Sequence, residues 1–290
     1  MRFMVGESNS GRHAVYALKG DRAINLTGED ETIGPDLGVL VRNASAAHDR
    51  VQTLLANADD GEAADGITRA LPLCSSGKII CLGLNYVDHA KEGGYDVPDY
   101  PALFVRTMTS MVAADAPIIR PRCSERLDYE AELMVIIGKG GRHIDQAKAL
   151  DHVFGYTLFN DASVRDYQRK THQWTPGKNF DGTGPVGPVV VTPDELPAGA
   201  AGLRIQSRLN GEIMQDANTD DMIFPVDQTI AILSEVMTLE PGDMIAMGTP
   251  PGVGHARKPP VWMKAGDVVE VEIEGIGVLC NPIIDKVDDE

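Results

Sequence analysis

The arrangement of apolar segments constrains the fold of this chain more than any other feature. After residue 77, apolar runs of strand length recur between glycines and prolines, and most have no helical pattern behind them. The runs are KIICLGLN, AELMVIIGK, GPVVVT, RIQSRLNGEI, GDMIAMGT and GDVVEVEIEGIGVL. A doubly wound fold needs a helix after each parallel strand, so we expect a mixed α/β, β-rich fold with mixed sheets. The stretches IDQAKALDHV and PVDQTIAILSEVMTL are the predicted helices of this region.

The first seventy residues differ from the rest and predict a separate small unit. HAVYALKG and RAINLTG alternate as strands do, and a helix is predicted over 37–57. The following stretch, ADDGEAADGITRALPLCSSGK, is rich in Asp, Gly, Ala and Ser and has no strong periodicity. We therefore expect a small N-terminal α+β domain over 1–72 and a larger domain over 73–290.

Charge and composition exclude several classes of function. The formal net charge of −17 repels polyanions, so nucleic acid is not an expected partner. No apolar run reaches the length of a membrane span, and we expect a cytoplasmic protein. The four cysteines show no CxxC pair and are predicted to be reduced, mostly buried thiols. A site for an anionic substrate must supply its own cations.

Three carboxylates form the strongest candidate for a functional cluster. In LDYEAELMVIIGKG, Glu130 and Glu132 stand two apart at the start of an apolar strand, so they point to the same face. Asp161 follows a second apolar strand, and neighbouring strand ends can bring it to the pair. Carboxylates without His or Cys suit a hard cation such as Mg²⁺ or Mn²⁺. The alternative is that the glutamates line the solvent face of an edge strand and that Asp161 caps a turn or helix.

Further polar groups surround this cluster in the sequence. In GLNYVDHAKEGG, His89 and Glu92 stand three apart and share a face if this is a helical turn, where the carboxylate would orient a general base. The alternative is a solvated amphipathic turn. Lys178 lies in a Gly- and Pro-rich loop, from which its ammonium can reach a site without burial in a core, or it is simply solvated. In MGTPPGVG, Thr249 and backbone amides can hold a carboxylate, or the segment is only a turn.

Seven segments in this order resemble the fumarylacetoacetate hydrolase superfamily. They are GLNYVDHAKE, FVRTMTS, DYEAELMVIIGK, GYTLFNDASVRDYQ, GKNFDGTGPVGP, LNG and MTLEPGDMIAMGTPPGVG. The resemblance covers nearly all of 78–282. It implies a β-roll of mixed sheets behind a small N-terminal domain, and a homodimer.

The resemblance also implies roles for individual residues. Glu130, Glu132 and Asp161 would be the ligands of one Mg²⁺ or Mn²⁺ per subunit. The implied catalytic residues are His89 and Glu92, a water-activating dyad on a lid, and Lys178, which faces the substrate. The implied substrate contacts are Gln168, Thr249 and Arg106, the last at a position where many relatives have lysine.

The activity that the resemblance implies is chemistry on a small anionic 2-oxo or diketo acid. The leading hypothesis is hydrolysis of the C–C bond of an acylpyruvate through an enolate stabilised by the cation and Lys178. The alternative is isomerisation or decarboxylation of a hydroxymuconate-type diacid or of oxaloacetate. A metal-stabilised binding protein without turnover is the alternative of another class.

Two segments are expected to determine which substrate is accepted, namely residues 95–100 and 167–174. The cations in and near them, among them Arg165 and Arg169, are compatible with a dianionic substrate. Alternatively, Arg165 forms a structural ion pair with Asp166.

Overall fold

The computed structural model describes residues 1–8, 10–58, 60–92, 94 and 96–287, and strands dominate it. The strands are β1 (Arg2–Glu7), β2 (His13–Lys19), β3 (Arg22–Asn25), β4 (Glu62–Ala63), β5 (Ile79–Gly83), β6 (Ala102–Arg106), β7 (Met111–Ala113), β8 (Ile118–Arg120), β9 (Leu127–Asp128), β10 (Ala131–Ile137), β11 (Val153–Asn160), β12 (Ser163–Val164), β13 (Gly184–Val191), β14 (Arg204–Leu209), β15 (Glu212–Asn218), β16 (Met244–Ala246), β17 (Val268–Ile273) and β18 (Gly277–Asp285).

The described part of the chain has fewer helices than strands, and most of the helices are short. The α-helices are α1 (Leu26–Glu29), α2 (Gly38–Arg42), α3 (Ala44–Asn57), α4 (Val87–Glu92), α5 (Arg165–Gln168), α6 (Thr175–Lys178) and α7 (Val226–Val236). Short 3₁₀ helices cover Glu31–Ile33, Ala64–Gly66, Met108–Ser110, Gln146–His152, Pro193–Glu195, Ala198–Ala200, Thr219–Asp221 and Gly254–Ala256. Of the two predicted helices of the larger segment, one is α7 and the other is the 3₁₀ helix Gln146–His152.

The sheets are mixed, as the sequence predicts. The largest runs in the order β4-β3-β2-β1-β13-β11-β10-β16-β5-β6, with β7 beside β13. Most pairs are antiparallel, but β16 and β5, β13 and β7, and β18 and β8 are parallel. A second sheet has the order β15-β14-β17-β18-β8, and β12 pairs with β9. The expected mixed, strand-rich fold is confirmed.

Strand β10 lies inside the largest sheet and is buried on both faces. It pairs with β11 on one side and β16 on the other. Its odd-numbered residues, such as Leu133 and Val135, belong to a core that includes residues of β14 and β17. Met134 and Ile136 belong to a second core, which includes residues of α2 and α3. Burial on both faces explains why this strand reads as one continuous apolar run.

The N-terminal strands continue the largest sheet, because β1 pairs with β13 through Phe3 and Val190. The single helix predicted over 37–57 is two helices, α2 and α3, which meet at Asn43, where ψ of 34° interrupts the helical backbone. The division into domains at residues 72 and 73 stays a prediction.

The cysteines are free thiols, but the prediction that most of them are buried is wrong. Cys81 is buried, whereas Cys74 and Cys123 are exposed and Cys280 is half-buried. Within the described ranges, no helix combines the length and apolarity needed to cross a bilayer.

Candidate active site

The three predicted carboxylates meet where β10 begins and β11 ends. In this antiparallel pair Ala131 lies opposite Asn160, so the residues that flank them come together. The backbone N–H of Asp161 donates to the carbonyl of Glu130 (3.0 Å), and the Asn160 side chain accepts from the backbone N–H of Glu130 (3.0 Å). One oxygen from each of Glu130, Glu132 and Asp161 lies within 4.8 Å of the others. The period of two in β10 therefore forms the cluster that the sequence predicts.

Burial excludes the alternative in which these groups are solvated. Glu130 is 4% exposed, Glu132 is 1% exposed and Asp161 is fully buried. Strand β10 is also not an edge strand. Three buried like charges destabilise one another unless cations lie among them.

Lys178 supplies one of those cations. Its Nζ lies 2.7 Å from Glu130 Oε2 and 2.7 Å from Asp161 Oδ2. The prediction of an unburied loop lysine is wrong, because Lys178 ends helix α6 and is only 2% exposed. Helix α6 packs so tightly on α5 that a Cβ at Gly177 would lie 2.3 Å from the backbone nitrogen of Gln168. This close approach brings the lysine over the carboxylates.

The two glutamates have opposite electrostatic environments. Burial alone would raise the pKa of Glu130, but the Lys178 ammonium and the Arg165 guanidinium outweigh it and lower that pKa. Burial and the Asp161 and Glu130 carboxylates raise the pKa of Glu132 well above its usual range. The backbone N–H of Gly248 also donates to Glu132 Oε2 (2.9 Å). Cation binding would favour the charged form of Glu132, and the all-carboxylate donor set fits a hard divalent cation.

Arg106 supplies a second cation, but not at the place that the resemblance implies. Its guanidinium donates to Asp161 Oδ1 (2.5 Å), to the carbonyl of Ala162 (3.2 Å) and to Thr183 Oγ1 (2.9 Å). Its side chain is fully buried and is absent from the wall of the neighbouring cavity. This position does not match the expected direct contact with a substrate anion; Arg106 instead holds Asp161 in place.

A cavity opens above the cluster and brings most of the predicted residues together. Seven of the nine predicted site residues line it: His89, Glu92, Glu130, Glu132, Gln168, Lys178 and Thr249. Asp161 and Arg106 are buried outside its wall. Trp174, whose ring meets Phe104 edge-on with 5.6 Å between centroids, forms an aromatic wall that sequence reasoning did not single out.

The segments expected to determine substrate identity have different positions. Within 167–174, Gln168, Arg169 and Trp174 line the cavity. Tyr95 lies outside the described residues, and residues 96–100 do not line the cavity. Among the described residues of the two segments, those that border the site belong to the second.

His89 and Glu92 lie on helix α4, which matches the predicted helical turn. His89 Nδ1 is 3.4 Å from Glu92 Oε2. The Glu92 carboxylate also accepts from the backbone N–H of Gly252 (3.1 Å), so it joins α4 to the loop after β16. The pair is assembled at the cavity mouth, while its catalytic role stays a prediction.

Backbone amides of the MGTPPGVG segment bind carboxylates, but these belong to the protein itself. The N–H of Gly248 donates to Glu132, that of Gly252 to Glu92, and that of Gly254 to Asp128. The Thr249 hydroxyl accepts from Gln215 Nε2 (2.8 Å) and faces the cavity. The prediction that amides of this loop hold a carboxylate is confirmed, and the three carboxylates are the protein's own.

Asp128 and Arg165 are the functional residues whose roles the sequence analysis missed. Arg165 Nε donates to Asp128 Oδ2 (2.8 Å), its Nη1 donates to Gln168 Oε1 (2.9 Å), and its Nη2 lies 2.6 Å from Glu130 Oε1. The alternative pairing of Arg165 with Asp166 is wrong, since Asp166 accepts from Ser124 Oγ. The spacing Asp128, Glu130, Glu132 repeats every second residue, so the sequence carried a signal for Asp128.

We expect Asp128→Asn to destabilise the protein by about 2 kcal/mol, because a buried carboxylate that accepts several charge-assisted hydrogen bonds loses its charge. Asp128 also accepts from the backbone N–H of His255 (3.0 Å), so the loop after β16 should loosen. Urea unfolding measures the change, with Asp99→Asn as a surface control. An unchanged midpoint would contradict this account of Asp128.

Comparison with known proteins assigns the chain to a family. The model of the family described as "Fumarylacetoacetate (FAA) hydrolase C-terminal" matches residues 78–284. The chain belongs to the fumarylacetoacetate hydrolase family. The resemblance stated from the seven motifs is confirmed, and the mixed-sheet architecture is that of this family.

Members of the family that resemble this chain carry several activities in their names. A Xenopus laevis protein named oxaloacetate tautomerase fahd2, mitochondrial, is 38% identical over 286 residues, which are 98% of this chain and 89% of that protein. The structure of maleylpyruvate hydrolase from Sphingobium sp. SYK-6 with manganese(II) and pyruvate has a TM-score of 0.82 and 26% identity, over 99% of this chain and 100% of that one. A 2-hydroxyhepta-2,4-diene-1,7-dioate isomerase from Mycobacterium marinum has a TM-score of 0.74 and 30% identity over the same shares.

Proposed function

We propose that this fumarylacetoacetate hydrolase family protein catalyses metal-dependent enolate chemistry on a small 2-oxo dicarboxylic acid, with keto–enol tautomerisation of oxaloacetate as the first reaction to test. The observation that carries the proposal is that the His89–Glu92 pair opens onto the same cavity as the buried carboxylates. A proton-transfer pair and a cation site facing one cavity suit enolisation. The likeness over 98% of the chain to a protein named as an oxaloacetate tautomerase supports this choice of substrate.

Glu130, Glu132 and Asp161 would hold one Mg²⁺ or Mn²⁺ per subunit, as hard oxygen ligands suit either ion. When bound, the cation supplies Lewis acidity that favours negative charge on the 2-oxo oxygen of the substrate. The manganese(II) in the related maleylpyruvate hydrolase structure supports a cation of this class.

The chain's own residues then provide charge stabilisation and proton transfer. The Lys178 ammonium, fixed between Glu130 and Asp161, is a preorganised positive charge beside the oxygen that becomes negative. His89 takes the proton from the carbon next to the carbonyl and returns it to oxygen, while Glu92 holds the imidazole. Gln168 accepts from Arg165 through Oε1, which leaves its amide N–H groups free to donate to the substrate.

The His89→Ala variant tests the proposal. We expect kcat for oxaloacetate tautomerisation to fall about 10²-fold, the low end for loss of a general base. Binding of Mg²⁺ and of oxalate should be retained, because His89 is not among the cation-site candidates. The matched control is Asp88→Asn, an exposed neighbour on α4 that pairs only with Lys91 in the described part of the chain.

Either of two results would contradict the proposal. Unchanged turnover in His89→Ala would remove the histidine from the reaction. Absence of turnover by the Mg²⁺-loaded wild type, with oxalate binding intact, would favour a binding protein without catalysis or a different substrate.

A second candidate is hydrolysis of the C–C bond of an acylpyruvate, with water in place of carbon as the proton donor to His89. The fold shared with maleylpyruvate hydrolase favours it. Product analysis with acetylpyruvate and fumarylpyruvate, with and without EDTA, decides between the two: hydrolysis yields pyruvate and the matching acid. Release of CO₂ from oxaloacetate would identify a decarboxylase, and rearrangement of a hydroxymuconate diacid would identify an isomerase.

That the protein is a cytoplasmic homodimer stays a prediction from the sequence.

A further inference from the structure

A second pocket opens beside the active-site cavity and shares part of its wall. Arg165, Arg169 and His255 line both. The rest of the second pocket is formed by a basic residue, an acidic residue and two apolar ones: Arg126, Asp166, Pro260 and Trp262. A substrate bound at the carboxylate cluster could therefore extend into it past Arg169.

The charges of this pocket are unbalanced. Arg165 is committed to Asp128 and Glu130. No carboxylate in the described part of the chain lies within 4.0 Å of the guanidinium of Arg126 or Arg169. Asp166 also lines the pocket, but it accepts a hydrogen bond from Ser124 Oγ (2.6 Å). Arg126 and Arg169 line the same pocket, and the described residues give neither an acidic partner, which leaves the pocket complementary to an anion.

Arg169 is held at the junction of the two cavities. Its backbone N–H donates to the carbonyl of Arg165 (3.2 Å), and its Nη2 lies 2.6 Å from His255 Nε2. Burial, followed by the Arg165 guanidinium, lowers the pKa of His255, so the imidazole is neutral at pH 7 and can accept from Arg169. The backbone N–H of His255 in turn donates to Asp128. His255 thus connects the buried Asp128 to the exposed guanidinium of Arg169.

We infer that Arg169, positioned by His255 and supported by Arg126, binds the second carboxylate of a dianionic substrate. The inference rests on the proposed function, since it assumes that the 2-oxo acid end lies at the carboxylate cluster. It adds a reason for selectivity: a planar guanidinium binds a carboxylate through paired hydrogen bonds, whereas an uncharged end leaves two arginines unpaired. Arg169 is thereby a specificity-determining residue, distinct from Arg165, which forms ion pairs with Asp128 and Glu130.

The test compares substrates and ligands that carry a second carboxylate with ones that do not. Oxaloacetate and its C4 methyl ester are compared for kcat/KM, and 2-oxoglutarate and pyruvate are compared for Kd by calorimetry on the Mg²⁺-loaded protein. The variants are Arg169→Gln and Arg126→Gln. The control is Lys170→Gln, which removes a charge from the adjacent exposed residue, whose ammonium lies over the Tyr167 ring and outside both cavities.

We expect the preference of wild type for the dianion to fall about tenfold in Arg169→Gln, the loss of one charge-assisted contact, and by less in Arg126→Gln. Lys170→Gln should keep the preference. An equal effect on mono- and dianion, or an equal effect of Lys170→Gln, would overturn the inference. If the protein turns over neither substrate, the proposed function fails, and the calorimetric comparison still decides whether Arg169 recognises the second carboxylate.

Discussion

Replacing Glu132 with glutamine is expected to abolish metal-dependent turnover while leaving the metal-free protein intact. Burial and two neighbouring carboxylates already favour the uncharged form of Glu132, so the neutral isostere should change the free energy of unfolding by less than about 1 kcal/mol. The amide oxygen of the substituted side chain can still accept from the backbone N–H of Gly248. Loss of a charged ligand removes Lewis-acid stabilisation of about 4 kcal/mol, or roughly 10³-fold in kcat/KM.

Thermal unfolding with and without Mn²⁺ measures the loss of cation binding separately from the loss of activity. Cation at 100 times its Kd stabilises a folded protein by about 2.7 kcal/mol, so wild type should show a clear rise in Tm that Glu132→Gln lacks. The matched control is Glu125→Gln, which removes an exposed carboxylate. A Mn²⁺-induced rise in Tm that survives in Glu132→Gln would show that Glu132 is not a ligand.

Replacing Lys178 with methionine, in contrast to Glu132→Gln, should strongly destabilise the metal-free protein. Burial alone would lower the pKa of Lys178, but Asp161 and Glu130 outweigh it and raise it, so the ammonium is charged and compensates both carboxylates. Its removal leaves each of these buried carboxylates with one cationic partner instead of two, Arg165 for Glu130 and Arg106 for Asp161, which costs about 3 kcal/mol. Added Mg²⁺ or Mn²⁺ should restore part of this loss, because the cation binds the same carboxylates.

Urea unfolding of Lys178→Met with and without cation measures both effects, and Lys264→Met provides a control at an exposed lysine. Turnover should remain at least roughly 10²-fold below wild type even with saturating cation, since the preorganised charge near the substrate oxygen is gone. Wild-type stability in the metal-free variant would mean that Glu130 and Asp161 are not both charged.

The parts of the site predictable from sequence are those determined by one or two neighbouring strands. Glu130 and Glu132 share a face because side chains alternate along β10, and Asp161 joins them because β11 is the adjacent antiparallel strand. The spacing of His89 and Glu92 likewise needs only one helical turn. The mixed-sheet fold followed from apolar runs that lack intervening helices.

The remainder depended on contacts that no local pattern encodes. Lys178 is buried because α6 packs on α5 at Gly177, and Arg106 reaches Asp161 across 55 positions of sequence. The sequence favoured the adjacent Asp166 as the partner of Arg165, but the actual partner, Asp128, lies on strand β9, far from Arg165 in the sequence. For the loop after β16, the sequence indicated that amides hold a carboxylate but not which ones, since the carboxylates that they bind come from β10, α4 and β9.

That loop has a consequence for redesign of this scaffold. Within seven residues, the backbone amides of Gly248, Gly252 and Gly254 bind a candidate metal ligand, the helix that carries the proposed proton-transfer pair, and Asp128 of the Asp128–Arg165 pair. A Cβ at Gly254 would lie 2.1 Å from the carbonyl oxygen of Val261, so this position has no room for a side chain. Exchanging this loop between family members would disturb three functions together. New substrate ranges are better sought by varying Arg169 and Trp174, which line the cavity but do not bind these three carboxylates.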